Sequence, residues 1–205
     1  MKNLLFILVL AGIVSCNGKK DAENDETVAA DSLAAPTINT RLLIIPGKSI
    51  GNISLGQNAD GLQSILGKPD LSDAAMGKAW LTWFSKVSDT VTGNELNIYT
   101  EYKDDDLTEK VVRQIRITSN EFTTEGGIRT GMTLDDISRI TRGELTLIGK
   151  FDTSTPNPVS VYDVVGEGIA FEIENDNKCS GIIIHEKGHK VSEEYITFHP
   201  DMMPN

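Results

Sequence analysis

The chain has 205 residues, with 19 Lys and Arg against 30 Asp and Glu, and its formal net charge is −11 at pH 7. This acidic balance argues against a nucleic-acid partner, which needs a basic stripe, and against electrostatic binding to anionic lipid. The sequence contains two cysteines, so no disulfide framework is expected. Its length allows one domain or two small halves.

The first sixteen residues predict an exported and lipid-anchored protein. Lys2 supplies a positive charge, an apolar run covers residues 4–14, and the small Ser15 precedes Cys16. The apolar run is shorter than the ~20 residues that span a bilayer, so residues 1–15 are predicted to be a cleaved signal peptide. The sequence Ile-Val-Ser-Cys resembles the bacterial lipobox, which makes Cys16 the expected lipidation site. The alternative is an ordinary signal peptide with an incidental cysteine.

Residues 16–40 are predicted to form a disordered tether from the lipidated cysteine. They carry many charges and alanines, no aromatic side chain and no apolar periodicity. Such a segment buries too little apolar surface to offset its ordering entropy. At ~24 residues, its typical end-to-end reach is roughly 25–30 Å. Asn17, and not Asp, follows the cysteine, which favours the outer membrane as the location in the cell envelope.

The remaining chain contains an internal repeat, because residues 53–65 align without gaps on residues 128–140. Asn58 and Thr133 are placed to be helix N-caps, and Gly56 and Gly131 permit a positive φ just before them. Apolar residues three apart then predict one buried helix face in each copy. The matched apolar residues are Leu62 with Ile137 and Ile65 with Ile140.

Strand-like segments follow each predicted helix. They cover residues 80–86, 95–103 and 111–119 in the first copy, and residues 144–152, 159–165, 169–174 and 179–185 in the second. Because strands adjacent in sequence pair antiparallel, the predicted fold class is α+β. It would consist of two tandem helix-plus-antiparallel-sheet units, residues 41–125 and 126–190, with the helices packed on one sheet face. Residues 191–205 would form a C-terminal tail.

The repeated motif resembles that of a known family. An Ile-x-x-Gly-x-Thr/Asn start, a Leu-Gly-Lys-Pro helix end at residues 66–69 and a hairpin closing on an Ile-x-Ile strand are similar to the BamE-like (SmpA/OmlA) lipoproteins. The tandem arrangement resembles β-lactamase-inhibitor protein, whose two halves form one concave surface. The resemblance implies protein binding, with no catalytic residue and no cofactor. The second helix departs from the pattern, since it ends in Thr141-Arg142-Gly143.

One short motif points to an enzyme. Residues 185–189 read His-Glu-Lys-Gly-His and match HExxH, in which two histidines one helical turn apart hold zinc. Here the motif follows a predicted strand, and in an extended chain His185 and His189 would lie roughly 13 Å apart. We therefore expect an exposed turn, and no catalytic or metal site. A zinc-dependent hydrolase using His185, Glu186 and His189 is an alternative. Cys179, beside an apolar run, is expected to be a buried inert thiol.

Aromatic and basic residues in the first unit suggest a binding surface. Trp80 and Trp83 have an odd spacing, so in a regular strand they point to opposite faces. Trp83, Tyr99, Arg113 and Arg116 are the candidate protein-binding residues on an open sheet face; the alternative is that the aromatic residues all lie in the core. The predicted function is a non-catalytic, lipid-anchored binding or assembly module for another envelope protein. An inhibitor of an exported enzyme is the alternative from a different class.

Overall fold

The computed structural model describes residues 39–88, 91–104, 107–152, 158–192 and 203–204 of the chain. The predicted signal peptide, Cys16 and all but the last two residues of the predicted tether lie outside these ranges, as does most of the C-terminal tail. No helix among the described residues combines the length and the hydropathy that are needed to cross a lipid bilayer.

The first half of the described chain runs from a 3₁₀ turn at Thr40–Leu42 through three short strands and a short helix to a four-stranded meander. Its elements are β1 (Leu43–Ile45), β2 (Ser49–Ile50), β3 (Ile53–Ser54), a 3₁₀ turn (Ala59–Gly61), α1 (Leu62–Leu66), β4 (Leu71–Ala75), β5 (Lys78–Ser88), β6 (Val91–Tyr102) and β7 (Lys110–Ile117).

The second half repeats the order of a helix followed by a meander. Its elements are β8 (Thr123–Thr124), α2 (Leu134–Ile140), β9 (Thr146–Asp152), β10 (Pro158–Val164), β11 (Ile169–Ile173), β12 (Cys179–Ile184) and β13 (Met203–Pro204).

The prediction of an α+β fold with helices packed on one sheet face is wrong, because the described chain is mostly β. Helix α1 has five residues and α2 has seven, about one and two turns. Gly67, with φ 78°, ends α1, and Pro69 beyond it cannot continue a helix. Each helix therefore buries one residue, Leu62 or Ile137, while Ile65 is 50% and Ile140 is 37% exposed. Helices this short cannot cover a sheet.

A nine-stranded sheet forms the body of the fold, with strand order β13-β9-β10-β11-β12-β7-β6-β5-β4. Every pair of neighbours in it is antiparallel. The two meanders join through their last strands, where Ile115, Arg116 and Ile117 pair with Ile184, Ile183 and Ile182. A second sheet has the order β3-β2-β1-β8, with β1 and β8 parallel. The two predicted sheets of the tandem units are thus one continuous sheet.

The repeated motif serves to attach each loop and helix start to a meander strand. Thr133 is the N-cap of α2, as predicted, and it accepts from the Asp136 N–H. Asn58 accepts from the Asp60 N–H, but it caps the 3₁₀ turn Ala59–Gly61, and the N-cap residue of α1 itself is Gly61. The glycines adopt positive φ, 76° at Gly56 and 85° at Gly131. Both donate a 2.7 Å hydrogen bond to a strand carbonyl, that of Val112 in β7 for Gly56 and that of Cys179 in β12 for Gly131.

A single main core unites the two sheets and both helices. It contains Ile44 of β1, Leu62 and Ile137 of the helices, and alternate residues of the central strands, such as Ile182 and Ile184. Their neighbour Ile183 belongs to a second cluster with Phe151, Val159, Val161, Ala170 and Val191. Since successive side chains of a strand point to opposite faces, the large sheet has a buried apolar cluster on each face.

Candidate binding groove and buried polar groups

The structure does not bring the predicted binding residues together on one exposed surface. Tyr99 is 0% exposed and Arg116 is 8% exposed, so neither is available to a partner, and this part of the prediction is wrong. Trp83 packs against the main core, and its indole N–H donates to the Gly67 carbonyl at 3.2 Å. Arg113 is partly exposed and pairs with Glu101 at 3.0 Å.

Tyr99 contacts a tryptophan on the neighbouring strand. Tyr99 of β6 lies opposite Trp80 of β5, and their ring centroids are 5.2 Å apart. Trp83 lies instead with the main core, so the two tryptophans face opposite sides of the sheet, as their spacing predicts. Trp80 is 6% and Tyr99 is 0% exposed, so the sheet face on which this pair lies is not open at these residues.

Arg116 is the centre of a buried polar network that joins the two halves of the sheet. Its guanidinium donates two 2.7 Å hydrogen bonds to the Glu172 carboxylate in β11. Its Nη1 donates to Glu95 and to Asn97, each at 2.8 Å. Burial acts to lower the pKa of Arg116, but the charges of Glu172 and Glu95 outweigh this effect and the pKa is raised. Arg116 therefore stays charged, and it stabilises two acidic groups.

Gly181 makes room for this network. It lies opposite Glu172 in the β11–β12 pair, and a Cβ at this position would collide with Glu172 Oε2. Any larger residue would force the Glu172 carboxylate away from Arg116. The bidentate geometry, which gives arginine–carboxylate pairs their strength, therefore depends on a glycine in the adjacent strand.

The HExxH motif lies at the end of β12 and in the turn that follows, as predicted, and not in a helix. The expectation that its histidines are exposed is wrong for His185, which is buried. The His185 Nε2 is 2.9 Å from Asp163 Oδ1, and its Nδ1 is 3.1 Å from the Glu186 carbonyl oxygen. Asp163 Oδ2 also accepts from the Val191 N–H. His189 is exposed. Within the described ranges no group of three or more His, Cys, Asp or Glu residues could hold a metal ion.

Cys179 is buried, as predicted. Its thiol donates to the Gly181 carbonyl at 3.2 Å. Burial, together with the nearby Glu172 charge, raises the pKa of Cys179 to about 12. Because the thiolate is the reactive form of cysteine, this residue is chemically inert near neutral pH.

A groove of about 390 Å³ lies where β5, β6 and β7 meet the loop after β7, and we call it the sheet-end groove. Its exposed lining residues are all polar, and its buried and half-buried ones are apolar or aromatic except for Glu95 and Ser119. The lining residues are Trp83, Phe84, Ser85, Asn94, Glu95, Leu96, Ile117, Ser119, Asn120, Glu121 and Phe122.

The charge of the sheet-end groove is negative. Its described lining includes the carboxylates of Glu95 and Glu121 and no Lys or Arg. Arg116 lies behind Glu95 at 2.8 Å, but it also neutralises Glu172 at 2.7 Å. The carboxylates of Glu95 and Glu121 therefore give the described lining of the groove its negative charge.

Of the four predicted binding residues, Trp83 alone lines the groove. The contributions of Phe122 and Glu121 were missed, because they lie in a loop whose path the sequence does not fix. The sequence did contain one signal, the adjacent aromatic residues Trp83 and Phe84: because neighbouring strand residues point to opposite faces, a single sheet face does not bury both of them.

No family model matches the chain, and no curated protein matches its sequence. One solved structure with a likeness is an extracellular protein containing an SCP domain from Bacillus anthracis, with 10% identity and a TM-score of 0.40, over 65% of this chain and 44% of that one. This chain thus spans less than half of the length of the Bacillus protein. Another is the uncharacterized protein YfeY from Escherichia coli, with 11% identity and a TM-score of 0.36, over 69% of this chain and 99% of that one.

Structural similarities with such low TM-scores and sequence identities assign neither a family nor a function to the chain. Neither of the two structures is named as BamE-like or as a β-lactamase inhibitor. The resemblance of the repeat motif to those families stays a prediction.

Proposed function

We propose that the protein is an exported, lipid-anchored binding protein of the cell envelope. In this proposal it is not an enzyme, and it binds a basic segment of another envelope protein in the sheet-end groove. The observation that carries the proposal is the combination of aromatic residues with two carboxylates, Glu95 and Glu121, in a groove whose described lining has no basic residue.

The chemistry of the groove favours a cationic side chain attached to an apolar one. Trp83, Phe84 and Phe122 offer aromatic surface, on which a Lys or Arg head group gains attraction from the ring electrons. Glu95 is fixed by Arg116 at 2.8 Å, so it offers a preorganised carboxylate. A volume of about 390 Å³ matches small ligand pockets and suits one or two side chains of an extended segment.

The anchor rests on the first sixteen residues, which lie outside the described ranges. Lipidation of Cys16 would attach the mature chain to the membrane, and Asn17 after it favours the outer membrane. A tether with a reach of roughly 25–30 Å would let the groove meet partners near the membrane surface.

A site-specific crosslink tests the proposal in the native envelope. A photoreactive amino acid replaces Asn120, which is exposed and lines the groove. We expect a discrete adduct with another envelope protein, and we expect Glu121→Arg to reduce its yield about tenfold through charge repulsion. The matched control is Glu125→Arg, which makes the same charge change at an exposed residue outside the groove.

Equal loss of the adduct in both arginine variants would contradict binding in the groove, and so would the absence of any adduct. If the captured protein is an exported enzyme whose activity falls when the complex forms, the protein is an enzyme inhibitor and not an assembly module.

A further inference from the structure

The two edge strands of the nine-stranded sheet differ in how well they can accept a further strand. At one edge, β13 covers β9, with Met203 and Pro204 opposite Lys150 and Gly149. Because proline has no N–H to donate, it blocks further strand addition. At the other edge, β4 is the last strand among the described residues, and its five residues are all exposed.

Strand β4 has few of the features that protect a free sheet edge. Edges are usually guarded by Lys, Pro, a bulge or a covering segment. The sequence of β4 is Leu-Ser-Asp-Ala-Ala, which has no Lys, Arg or Pro, and Leu71 is 58% exposed. Asp73 is its one charged residue, and it occupies the centre of the strand.

The backbone of β4 is positioned to accept another strand. The turn between β4 and β5 has two residues, so Ala75 and Lys78 form the closing pair of the hairpin. Hydrogen-bonded and non-hydrogen-bonded pairs alternate from there in an antiparallel ladder. The N–H and C=O groups of Ser72 and Ala74 therefore point away from β5, toward the outer edge.

The hairpin is held in shape at its tip. Met76 and Gly77 both have positive φ, 52° and 83°, as a type I′ turn requires. Gly77 lies against the ring of Tyr102 so closely that a Cβ would collide with it. Lys110 lies over the same ring at 5.1 Å. The edge is thus preorganised, which reduces the entropy cost of binding.

We propose that β4 is a docking edge, separate from the sheet-end groove, which accepts an extended basic segment of a different polypeptide as a tenth strand. A second copy of β4 is disfavoured, because the antiparallel register that pairs all five residues places Asp73 opposite Asp73. The edge is about 17 Å long, too short for the area that a stable dimer interface buries.

The side chains of β4 define the sequence of the segment. Asp73 shares a sheet face with Leu71 and Ala75, because alternate residues of a strand point to the same side. In an antiparallel partner, a Lys or Arg would lie opposite Asp73, and aliphatic residues two positions away on each side would face Leu71 and Ala75. The expected pattern is aliphatic-x-Lys/Arg-x-aliphatic.

The test uses the full-length mature protein and the capped peptide Thr-Val-Thr-Lys-Thr-Val-Thr, compared with the same peptide carrying Glu in place of Lys. We expect the Lys peptide to protect the Ser72 and Ala74 amides from hydrogen exchange and to bind about fivefold more tightly than the Glu peptide. Asp73→Lys should reverse this preference.

Ala74→Pro removes an outward N–H, and it should weaken binding of the Lys peptide about tenfold. Ala74→Ser is its matched control, since it keeps the N–H. If Ala74→Pro is less stable than the native chain, the reversal by Asp73→Lys decides the question alone. Two results would overturn the proposal. One is hydrogen exchange of the Ser72 and Ala74 amides that does not change when either peptide is added. The other is equal affinity of Ala74→Pro and Ala74→Ser for the Lys peptide. Glu121→Arg should leave peptide binding unchanged, so this test does not depend on the groove.

Discussion

His185 and Asp163 form a buried pair in which each group has a second fixed partner. Both side chains are nearly inaccessible, and the Nε2–Oδ1 distance is 2.9 Å. We expect His185→Ala to lower the free energy of unfolding by about 2–4 kcal/mol, because it leaves Asp163 buried beside an empty space. Urea denaturation measures this change. His189→Ala, an exposed control from the same motif, should change it by less than ~0.5 kcal/mol.

Equal, small effects of the two alanine variants would show that the buried pair contributes nothing. The sequence alone suggested this equality, since HExxH at a strand end gives no sign that one histidine turns inward toward β10. The two histidines differ because His185 contacts Asp163. Asp163 is far from His185 in sequence, and the folding of the sheet brings the two residues together.

Arg116 offers a test of the polar network between the halves. Arg116→Met should destabilise the fold by about 3–5 kcal/mol, because it removes both hydrogen bonds of the guanidinium to the buried Glu172 carboxylate. Adding Glu172→Gln should recover part of this loss. The control is Arg113→Met in the same strand, where the pair with Glu101 is partly exposed and should contribute about 1 kcal/mol or less. If the two single variants lose the same stability in denaturant titration, the network has no special role.

Cys179 should behave as a reporter of unfolding. Its pKa is about 12 in the folded protein against an ordinary value of 9.0, so the unfolded state ionises first as pH rises. The stability that this group contributes is complete below pH ~9 and is lost between pH ~9 and ~12. In a Cys16→Ser chain, iodoacetamide at pH 8 should label Cys179 only as fast as the fold opens. Rapid labelling without denaturant would contradict the burial of the thiol.

At the scale of elements, the β4–β5 hairpin carries local strain at its tip. Met76 has φ 52° and is 84% exposed, although residues with a Cβ other than Asn or Asp rarely adopt this conformation. We expect Met76→Asn to raise the free energy of unfolding by about 0.5–1 kcal/mol, because Asn favours the first position of a type I′ turn. Thermal denaturation measures the gain. Met203→Asn, at an exposed methionine outside this turn, should give no comparable gain.

The elements that the sequence predicts well are those fixed by local chemistry. The caps Asn58 and Thr133 and the positive-φ glycines before them follow from residue type, and the predicted segments 95–103 and 111–119 overlap β6 and β7. Strand β4 was missed because Leu-Ser-Asp-Ala-Ala has neither β-branched residues nor apolar alternation. The prediction that helices pack on a sheet face is wrong, because the spacing of apolar residues indicates which face of a helix is buried but does not indicate how long the helix is.

At the scale of the whole molecule, the sequence could not predict that β7 pairs with β12. This contact joins residues far apart in the chain, and it turns two expected sheets into one. The sheet-end groove was missed for a related reason, since Phe122 enters it from a loop. Residue type alone predicts Tyr99 and Arg116 as binding residues, whereas their burial depends on contacts between strands that are distant in sequence.

The anchor is a property of the whole chain, and it stays a prediction. Cys16→Ser should release the protein from the membrane fraction or leave an uncleaved precursor, because the acylated cysteine provides the expected attachment. Fractionation and mass measurement of the N-terminus check this. Cys179→Ser should leave the attachment intact. Normal processing with full membrane retention of Cys16→Ser would contradict lipidation at this residue.

The junction of β7 and β12 has the symmetry of a homodimer interface. Val112 and Cys179 accept equivalent bonds from Gly56 and Gly131, so at the same spacing Ile115 corresponds to Ile182 and Ile117 to Ile184. In the junction, Ile115 pairs with Ile184 and Ile117 pairs with Ile182. Ile115 thus pairs with the counterpart of Ile117, and Ile117 pairs with the counterpart of Ile115, which is the rule of an isologous contact. The junction therefore has the pseudo-two-fold geometry of an isologous contact, although both of its strands belong to one chain.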